Sequence, residues 1–154
     1  MGQQQLLLVI LVTILVGIAT VVAINVFGES AEQSNGDAVR QDLLAAASQA
    51  QAIWSKPTQL GGAGGDFTDM TEEELLQQLR IPGSRNTGTT DPDSPVDDGK
   101  DYVENENGLY TITRTDNVLT IDAIPSTYRS DIRMTVTWTP ATRSWAIATT
   151  ETPN

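Results

Sequence analysis

Cysteine and histidine are both absent from this chain of 154 residues. Without cysteine there is no disulfide, no thiol nucleophile and no cysteine–zinc site. Without histidine the chain lacks the commonest general base and a frequent ligand of transition metals. Hydrolases of the Ser-His-Asp and Cys-His types are therefore excluded. Because no pairing of carboxylates stands out either, we predict neither enzymatic activity nor a required cofactor.

Basic residues are scarce. Nine lysines and arginines face 20 aspartates and glutamates, which gives a formal net charge of −11. Lys56 and Lys100 are the only lysines. An acidic surface repels phosphate backbones and anionic lipids. We therefore predict no direct nucleic-acid site.

Charge is missing altogether from the segment 6–27, which is a long and mostly apolar run. A helix of this length extends about 33 Å, enough to cross the hydrocarbon core of a bilayer. A cleaved secretory signal is disfavoured, because the apolar region of such signals is only about 7–15 residues long and follows basic residues. Here the first basic residue is Arg40. The simplest explanation is that a short basic leader has been removed and that Met1 begins the mature chain.

Small and polar residues interrupt the apolar run. Residues of this kind let helices approach one another closely in an apolar environment. They favour a helix that packs against copies of itself, and the alternative is a plain single-pass membrane anchor. The interrupting residues are Thr13, Gly17, Thr20 and Asn25.

An amphipathic segment follows the apolar run. Its apolar residues recur at steps of three and four, which is typical of a helix with one buried face, and Pro57 predicts its end. We therefore predict one helix over residues 1–56, with weak points at Gly28 and Asn35-Gly36. The apolar positions are Ala31, Ala38, Val39, Leu43, Leu44, Ala47, Ala50, Ile53 and Trp54. The predicted parts of the chain are an apolar spine or membrane segment (1–28), the amphipathic half of the helix (29–56) and a globular head (57–154).

The head is predicted to contain a short helix and a sheet. Thr71 and Glu74 fit a capping box and predict a helix over 71–80, whereas Gly61–Gly65 is typical of a flexible linker. Alternating apolar residues across 109–150 predict four antiparallel strands. The fold class is therefore α+β, with a long N-terminal α-helix packed on a C-terminal four-stranded antiparallel β-meander. The predicted strands are 109–115, 118–124, 131–139 and 144–149.

Carboxylates are concentrated in residues 83–108, a segment that we predict to be a loop. Ca²⁺ binds about six to eight oxygen ligands, often from flexible segments of this kind. The spacing does not match an EF-hand, so the alternatives are a calcium site and an acidic, solvated loop. The candidate ligands are Asp91, Asp93, Asp97, Asp98 and Asp101.

The segment from Met1 to Phe27 resembles the mature N-terminus of type IV pilins. In that family a peptidase removes a short charged leader, and the mature chain runs from a small polar stretch through an apolar helix into an amphipathic half-helix. Met1 would be the first mature residue, which the family commonly N-methylates. Gln5 stands where the family usually has a glutamate that compensates a neighbouring subunit's N-terminal amine. The mid-helix proline of many pilins is also missing, with Val22 near that place.

The resemblance covers the whole chain by layout and the segment up to Phe27 by motif. It implies a structural subunit that polymerises into an extracellular filament at the cell surface, a helical homo-oligomer. Before assembly such a subunit resides in the inner membrane and interacts with the pilus assembly machinery. The residues assigned to assembly are Met1, Gln5, Leu6, Leu7, Val9, Ile10, Leu11, Ile14, Leu15, Gly17, Ile18, Val21, Val22 and Phe27.

Three other functions fit parts of the sequence. A pseudopilin of a secretion system is a short-fibre relative, and calcium in the head loop is common in that group. A single-pass membrane-anchored binding module would stay monomeric and form no filament. A membrane-tethered enzyme lacks a nucleophile–base set in this chain. Adhesion, motility and DNA uptake are not distinguished by any residue named above.

Overall fold

The computed structural model describes residues 2–89, 96, 97 and 99–153. Its first element is helix α1, Gly2–Ser55, which agrees with the helix predicted over 1–56. The predicted weak points at Gly28 and Asn35-Gly36 do not interrupt it. The chain divides into two compact units, Met1–Ser34 and Asn35–Asn154. We call the second the head unit; it includes the C-terminal part of α1.

The head unit contains an antiparallel sheet of six strands, each paired with its neighbours in the sequence. The last four strands correspond to the predicted ones, so the α+β class is confirmed, but the predicted number of four strands is wrong. The bounds are β1 Ser84–Thr87, β2 Asp101–Glu104, β3 Gly108–Thr115, β4 Val118–Pro125, β5 Ser130–Thr139 and β6 Ser144–Pro153.

The two additional strands lie in the 83–108 segment that was predicted to be a loop. All four residues of β1 are exposed, and in β2 only Val103 is buried. Neither strand therefore shows the apolar alternation that identifies a strand in a sequence. Their pairing depends on a tertiary contact instead, because Val103 lies opposite the buried Tyr110 of β3.

The hydrophobic core lies between α1 and one face of the sheet, which we call the inner face. Val39 and Leu43 of α1 are fully buried and pack in one cluster with strand residues such as Ile121 and Ile132. Leu44 was assigned to the apolar face of the helix, and that assignment is wrong because its side chain is 54% exposed. One residue advances about 100° around a helix, which turns Leu44 away from the sheet. The buried residues of α1 are Gly36, Val39, Leu43, Ala46, Ala47, Ala50 and Ile53.

The short helix α2, Glu72–Gln78, lies within the predicted range of 71–80. Thr71 Oγ1 accepts a hydrogen bond from the backbone N–H of Glu74 at 3.2 Å, and the Glu74 carboxylate accepts one from the backbone N–H of Thr71 at 2.9 Å. The capping box is therefore confirmed. The hydrogen bond from the Thr71 backbone is the main reason that the pKa of Glu74 is lowered.

The glycine-rich segment Gly61–Gly65 is packed against the end of α1, so its interpretation as a flexible linker is wrong. The N–H groups of Ala63, Gly64 and Gly65 donate to carbonyls of Ile53, Lys56 and Trp54, respectively, at 2.8–2.9 Å. These bonds satisfy carbonyls that the end of a helix otherwise leaves without a partner. A Cβ on Gly62 would collide with the Lys56 carbonyl, and Gly64 has a φ of +62°, so glycine is required at both positions.

Packing against an aromatic ring explains the glycine at position 36. A Cβ built there would lie 3.1 Å from ring atoms of Tyr128. We expect Gly36→Leu to reduce the free energy of unfolding by about 1–3 kcal/mol relative to Gly28→Leu, because a larger side chain must displace the ring. Gly28 is the matched control, since it lies in the same helix and a Cβ there would meet nothing within 4 Å. Denaturant unfolding followed by tryptophan fluorescence measures the difference, and equal stability of the two variants would contradict the packing explanation.

Candidate functional site: the apolar segment of α1

The candidate assembly residues from Gln5 to Phe27 all lie on one element, the N-terminal part of α1. Gln5 and the residues from Leu6 to Phe27 are exposed, and Met1 lies outside the described residues. The large apolar side chains are between 48% and 75% exposed. They are Leu6, Leu7, Leu8, Val9, Ile10, Leu11, Val12, Ile14, Leu15, Val16, Ile18, Val21, Val22, Ile24, Val26 and Phe27.

By length and composition this helix is able to cross a membrane, and it is the one helix among the described residues with that property. The same criteria are also met by signal sequences and by core helices of soluble proteins. A core helix is mostly buried, however, whereas none of this apolar window is buried within the chain. An exposed apolar surface of this size is typical of segments that contact a membrane or another protein.

Two hydroxyl groups within the segment are satisfied by the helix itself. Thr13 donates to the carbonyl of Val9, and Thr20 donates to the carbonyl of Val16 at 2.8 Å. Neither hydroxyl therefore needs water, so both residues are compatible with an apolar environment. Gly17 lies between them at helical spacing and places a small residue on the same face.

The predicted calcium ligands are only partly within the described residues. Asp97 lies 3.4 Å from the Lys100 ammonium group, and Asp101 accepts a hydrogen bond from the Thr87 hydroxyl at 2.7 Å. Asp91, Asp93 and Asp98 lie outside the described residues. Among residues 2–89, 96, 97 and 99–153 no three acidic side chains are grouped to hold a metal. Calcium binding therefore stays a prediction, as does the absence of enzymatic activity.

Sequence reasoning missed a polar cluster that fixes α1 to the turn between β2 and β3. One oxygen of Asp42 accepts hydrogen bonds from Tyr110 at 2.8 Å, Asn107 at 2.9 Å and Asn105 at 3.3 Å. Burial, reinforced by Asp42, raises the pKa of the Tyr110 phenol well above its usual range. The only sequence signal was an aspartate on a helix next to Leu43, which by itself is uninformative. The cluster fixes the position of α1 relative to this turn.

A second polar cluster joins α1 to the last strand. The Arg40 guanidinium donates two hydrogen bonds to a carboxylate oxygen of Glu151 and lies 5.3 Å from the centre of the Tyr128 ring. Tyr128 donates to the other oxygen of Glu151 at 3.0 Å. The hydrogen bonds from Arg40 lower the pKa of Glu151, and those same bonds raise the pKa of Arg40.

The stability of the head unit should depend on the charge of Glu151. The pKa of Glu151 is lower in the folded than in the unfolded chain. The stabilisation that its charged carboxylate provides is therefore present above the unfolded pKa of about 4.3, and it is lost as the pH falls through the folded pKa. We expect Glu151→Gln to lower the unfolding midpoint at pH 7 and to change it much less at pH 3. Tryptophan fluorescence during thermal unfolding measures both midpoints. Glu104→Gln, at an exposed position of β2, controls for the loss of one negative charge; equal effects of the two variants at pH 7 would contradict the role of Glu151.

All three tryptophans of the chain meet at one end of the head unit. The ring centre of Trp54 lies 4.9 Å from that of Trp138 and 5.3 Å from that of Trp145, and Trp138 and Trp145 are 5.2 Å apart. Trp145 also approaches Phe67 of the core. Aromatic rings at these separations pack against one another, so the three tryptophans form one aromatic cluster.

Comparisons of the chain with protein-family models, with curated proteins and with solved structures found no match.

Proposed function

We propose that this chain is the structural subunit of an extracellular, type IV pilus-like filament, which it forms through the apolar segment of α1. The observation that supports this most strongly is the exposure of 16 large apolar side chains along residues 6–27. Burial of each is worth about 1.5–3 kcal/mol. The total amounts to tens of kcal/mol, so this surface must be covered in any stable state.

A bilayer and a bundle of identical helices both cover such a surface. In the proposed mechanism the segment first lies in the inner membrane, where the pilus assembly machinery reaches it, and then moves into the helical core of the filament. Because the same side chains leave one apolar environment and enter another, the transfer costs little free energy. Thr13 and Thr20 form their hydrogen bonds within the helix, and therefore need no new partner during the transfer.

The head unit is suited to the outer surface of such a filament. Its core is complete, with a buried cluster that joins α1 to the sheet, and a net charge of −11 keeps the chain soluble outside the apolar segment. Gln5 is neutral and is able to accept a hydrogen bond from a neighbouring N-terminal amine, although it cannot compensate the positive charge. We therefore expect the contact at Gln5 to be weaker than a salt bridge.

Electron cryomicroscopy of material sheared from the cells that carry this chain tests the proposal. We expect a helical fibre whose central density is a bundle of α1 segments, with the heads outside. A chain that remains in the membrane fraction as single molecules would contradict the proposal and would favour the membrane-anchored binding module. A short fibre that depends on Ca²⁺ would instead favour the pseudopilin.

A further inference from the structure

Among the residues that the structure describes, the sheet of the head unit ends in two edge strands, β1 and β6. All four residues of β1 and nine of the ten residues of β6 are exposed. Native proteins usually protect a long edge with lysine, proline or a bulge, because its backbone groups can pair with another strand. Residues 144–150 of β6 contain neither a charge nor a proline, whereas Glu151 and Pro153 follow at the end of the strand. Most of this edge therefore lacks the usual protection, and its end carries one charge that a partner strand has to match.

The pairing register aligns the charged residues of the two edges. On the inner face, a row of directly opposed residues, one from each strand, crosses the sheet. It begins at Arg85 in β1 and ends at Glu151 in β6. Arg85 is the only charged residue of β1, and Glu151 is the only one of β6. A second copy placed beside the first, without offset along the strands, therefore brings its Arg85 opposite Glu151. Glu151 is already bonded to Arg40 and Tyr128 of its own chain. Asp37 also pairs with Arg40, however, so this cluster holds two carboxylates and one guanidinium. A second cation from Arg85 therefore has a negative partner, and opposite charges at directly opposed positions stabilise strand pairing.

The number of strands decides which edges of parallel copies can meet. With six antiparallel strands, β1 and β6 run in opposite directions. An antiparallel β6–β1 contact therefore joins two copies that have the same orientation, and the N-terminal residue of the head unit, Asn35, lies at the same end in both. An antiparallel β6–β6 contact requires one copy to point in the opposite direction, which places Asn35 of the two copies at opposite ends. Of these two antiparallel contacts, only the first is compatible with helices that all point in one direction.

From this alignment we infer that β6 of one copy pairs with β1 of the next, so that neighbouring heads share a continuous antiparallel sheet with Glu151 opposite Arg85. The inference rests on the proposed function, because the apolar segments bring the copies together in one orientation. The contact is head-to-tail, so it repeats from copy to copy and is compatible with an open helical filament. Four residue pairs alone form a weak contact, but association through α1 makes it effectively intramolecular.

Engineered disulfides test the pairing, because the chain has no cysteine of its own. A second row of directly opposed residues crosses the outer face of the sheet, which is the face opposite the inner one. Asn86 in β1 and Thr150 in β6 stand at its two ends, and both are exposed. In the inferred contact they become direct neighbours, with Cα atoms about 4.5–5.5 Å apart, which suits a disulfide. Within one chain they are five strand spacings apart, about 24 Å. Any disulfide in the variant Asn86→Cys/Thr150→Cys therefore joins two copies.

We expect filaments of this variant, after mild oxidation, to give a ladder of covalent oligomers on a non-reducing gel. The matched control is Asn86→Cys/Ala146→Cys, in which the second cysteine is four residues further along the same face of β6, about 13 Å away. We expect at least tenfold less cross-linking from the control. Intact filaments that give no ladder, or equal ladders from both variants, would overturn the inference.

Two further readouts separate the inference from the function on which it rests. Covalent dimers from the single variants Ala146→Cys or Ala148→Cys would indicate β6–β6 pairing and would overturn the inferred contact. If the cells produce no filaments, the proposed function fails, and oxidation of the same double variant in the membrane fraction still tests the contact. A ladder of covalent oligomers from the membrane fraction would support edge pairing without a filament. No ladder from the membrane fraction would overturn the inferred contact as well.

Discussion

Replacing Val16 or Leu11 with aspartate should abolish filament formation while leaving the head unit folded. A carboxylate near the centre of a transmembrane helix costs about 2.5–3.5 kcal/mol on insertion scales. In a filament core every copy contributes one such charge. Neighbouring carboxylates that no cation compensates repel one another strongly there, because the dielectric constant is low. The unfavourable free energy therefore adds up along the filament, and a single substitution per chain prevents assembly.

Leu60→Asp is the matched control for Leu11→Asp. The two leucines are almost equally exposed in the single chain, at 67% and 66%, but Leu60 lies in the head unit at the end of a single-turn 3-10 helix, Thr58–Leu60. The same chemical change there should leave filaments intact. Electron microscopy of sheared material gives the filament yield, and tryptophan fluorescence shows whether the head unit is folded. Normal filaments from Val16→Asp or Leu11→Asp would contradict the proposed role of the apolar segment.

The second large effect is expected in the core of the head unit. Leu43→Ala should lower the free energy of unfolding by about 3 kcal/mol, because the Leu43 side chain is fully buried and its truncation leaves a cavity in the core. For a domain of this size that corresponds to a Tm about 10 °C lower. Since a domain is stable by only about 5–15 kcal/mol in total, the change removes a large fraction of the stability.

Leu44→Ala provides a control that differs by one position. Leu44 belongs to the same helix but is more than half exposed, so its truncation should change the stability by less than about 0.5 kcal/mol. Thermal unfolding of the full chain in detergent gives both values. The three tryptophans all lie in the head unit, so their fluorescence reports on that unit alone. Equal destabilisation by the two variants would show that the packing of α1 on the sheet has been described wrongly.

The helices and the last four strands were predictable because their signals are local. Helix α1 combines an uncharged run with apolar residues at helical spacing, and the capping box of α2 is contained in four consecutive residues. Strands β3 to β6 alternate clearly enough to be located within a few residues. In each case the pattern that forms the element also lies within it.

What could not be predicted depends on contacts that are distant in the sequence. β1 is entirely polar and β2 has one buried residue, so β2 is a strand only because β3 supplies a partner, and β1 only because β2 does. Asp42 looks like any exposed helical aspartate until the turn at Asn105 and Asn107 folds onto it. Gly61–Gly65 has the composition of a linker, but its N–H groups cap α1. For the candidate site, the sequence located the apolar segment but gave no indication of the two sheet edges.

The order of the elements along the chain also determines when the head unit can be completed. Each strand pairs with the strand before it, so the sheet can form hairpin by hairpin as the chain appears. Helix α1 is made first, yet Arg40 and Trp54 find partners in Glu151 and Trp145 of β6. These two contacts must therefore wait for the last strand, whereas the buried core residues of the sheet lie in the strands before it. Until β5 has been made, the buried side of α1 is not fully covered, and a chain that stalls before that point is a target for chaperones and proteases.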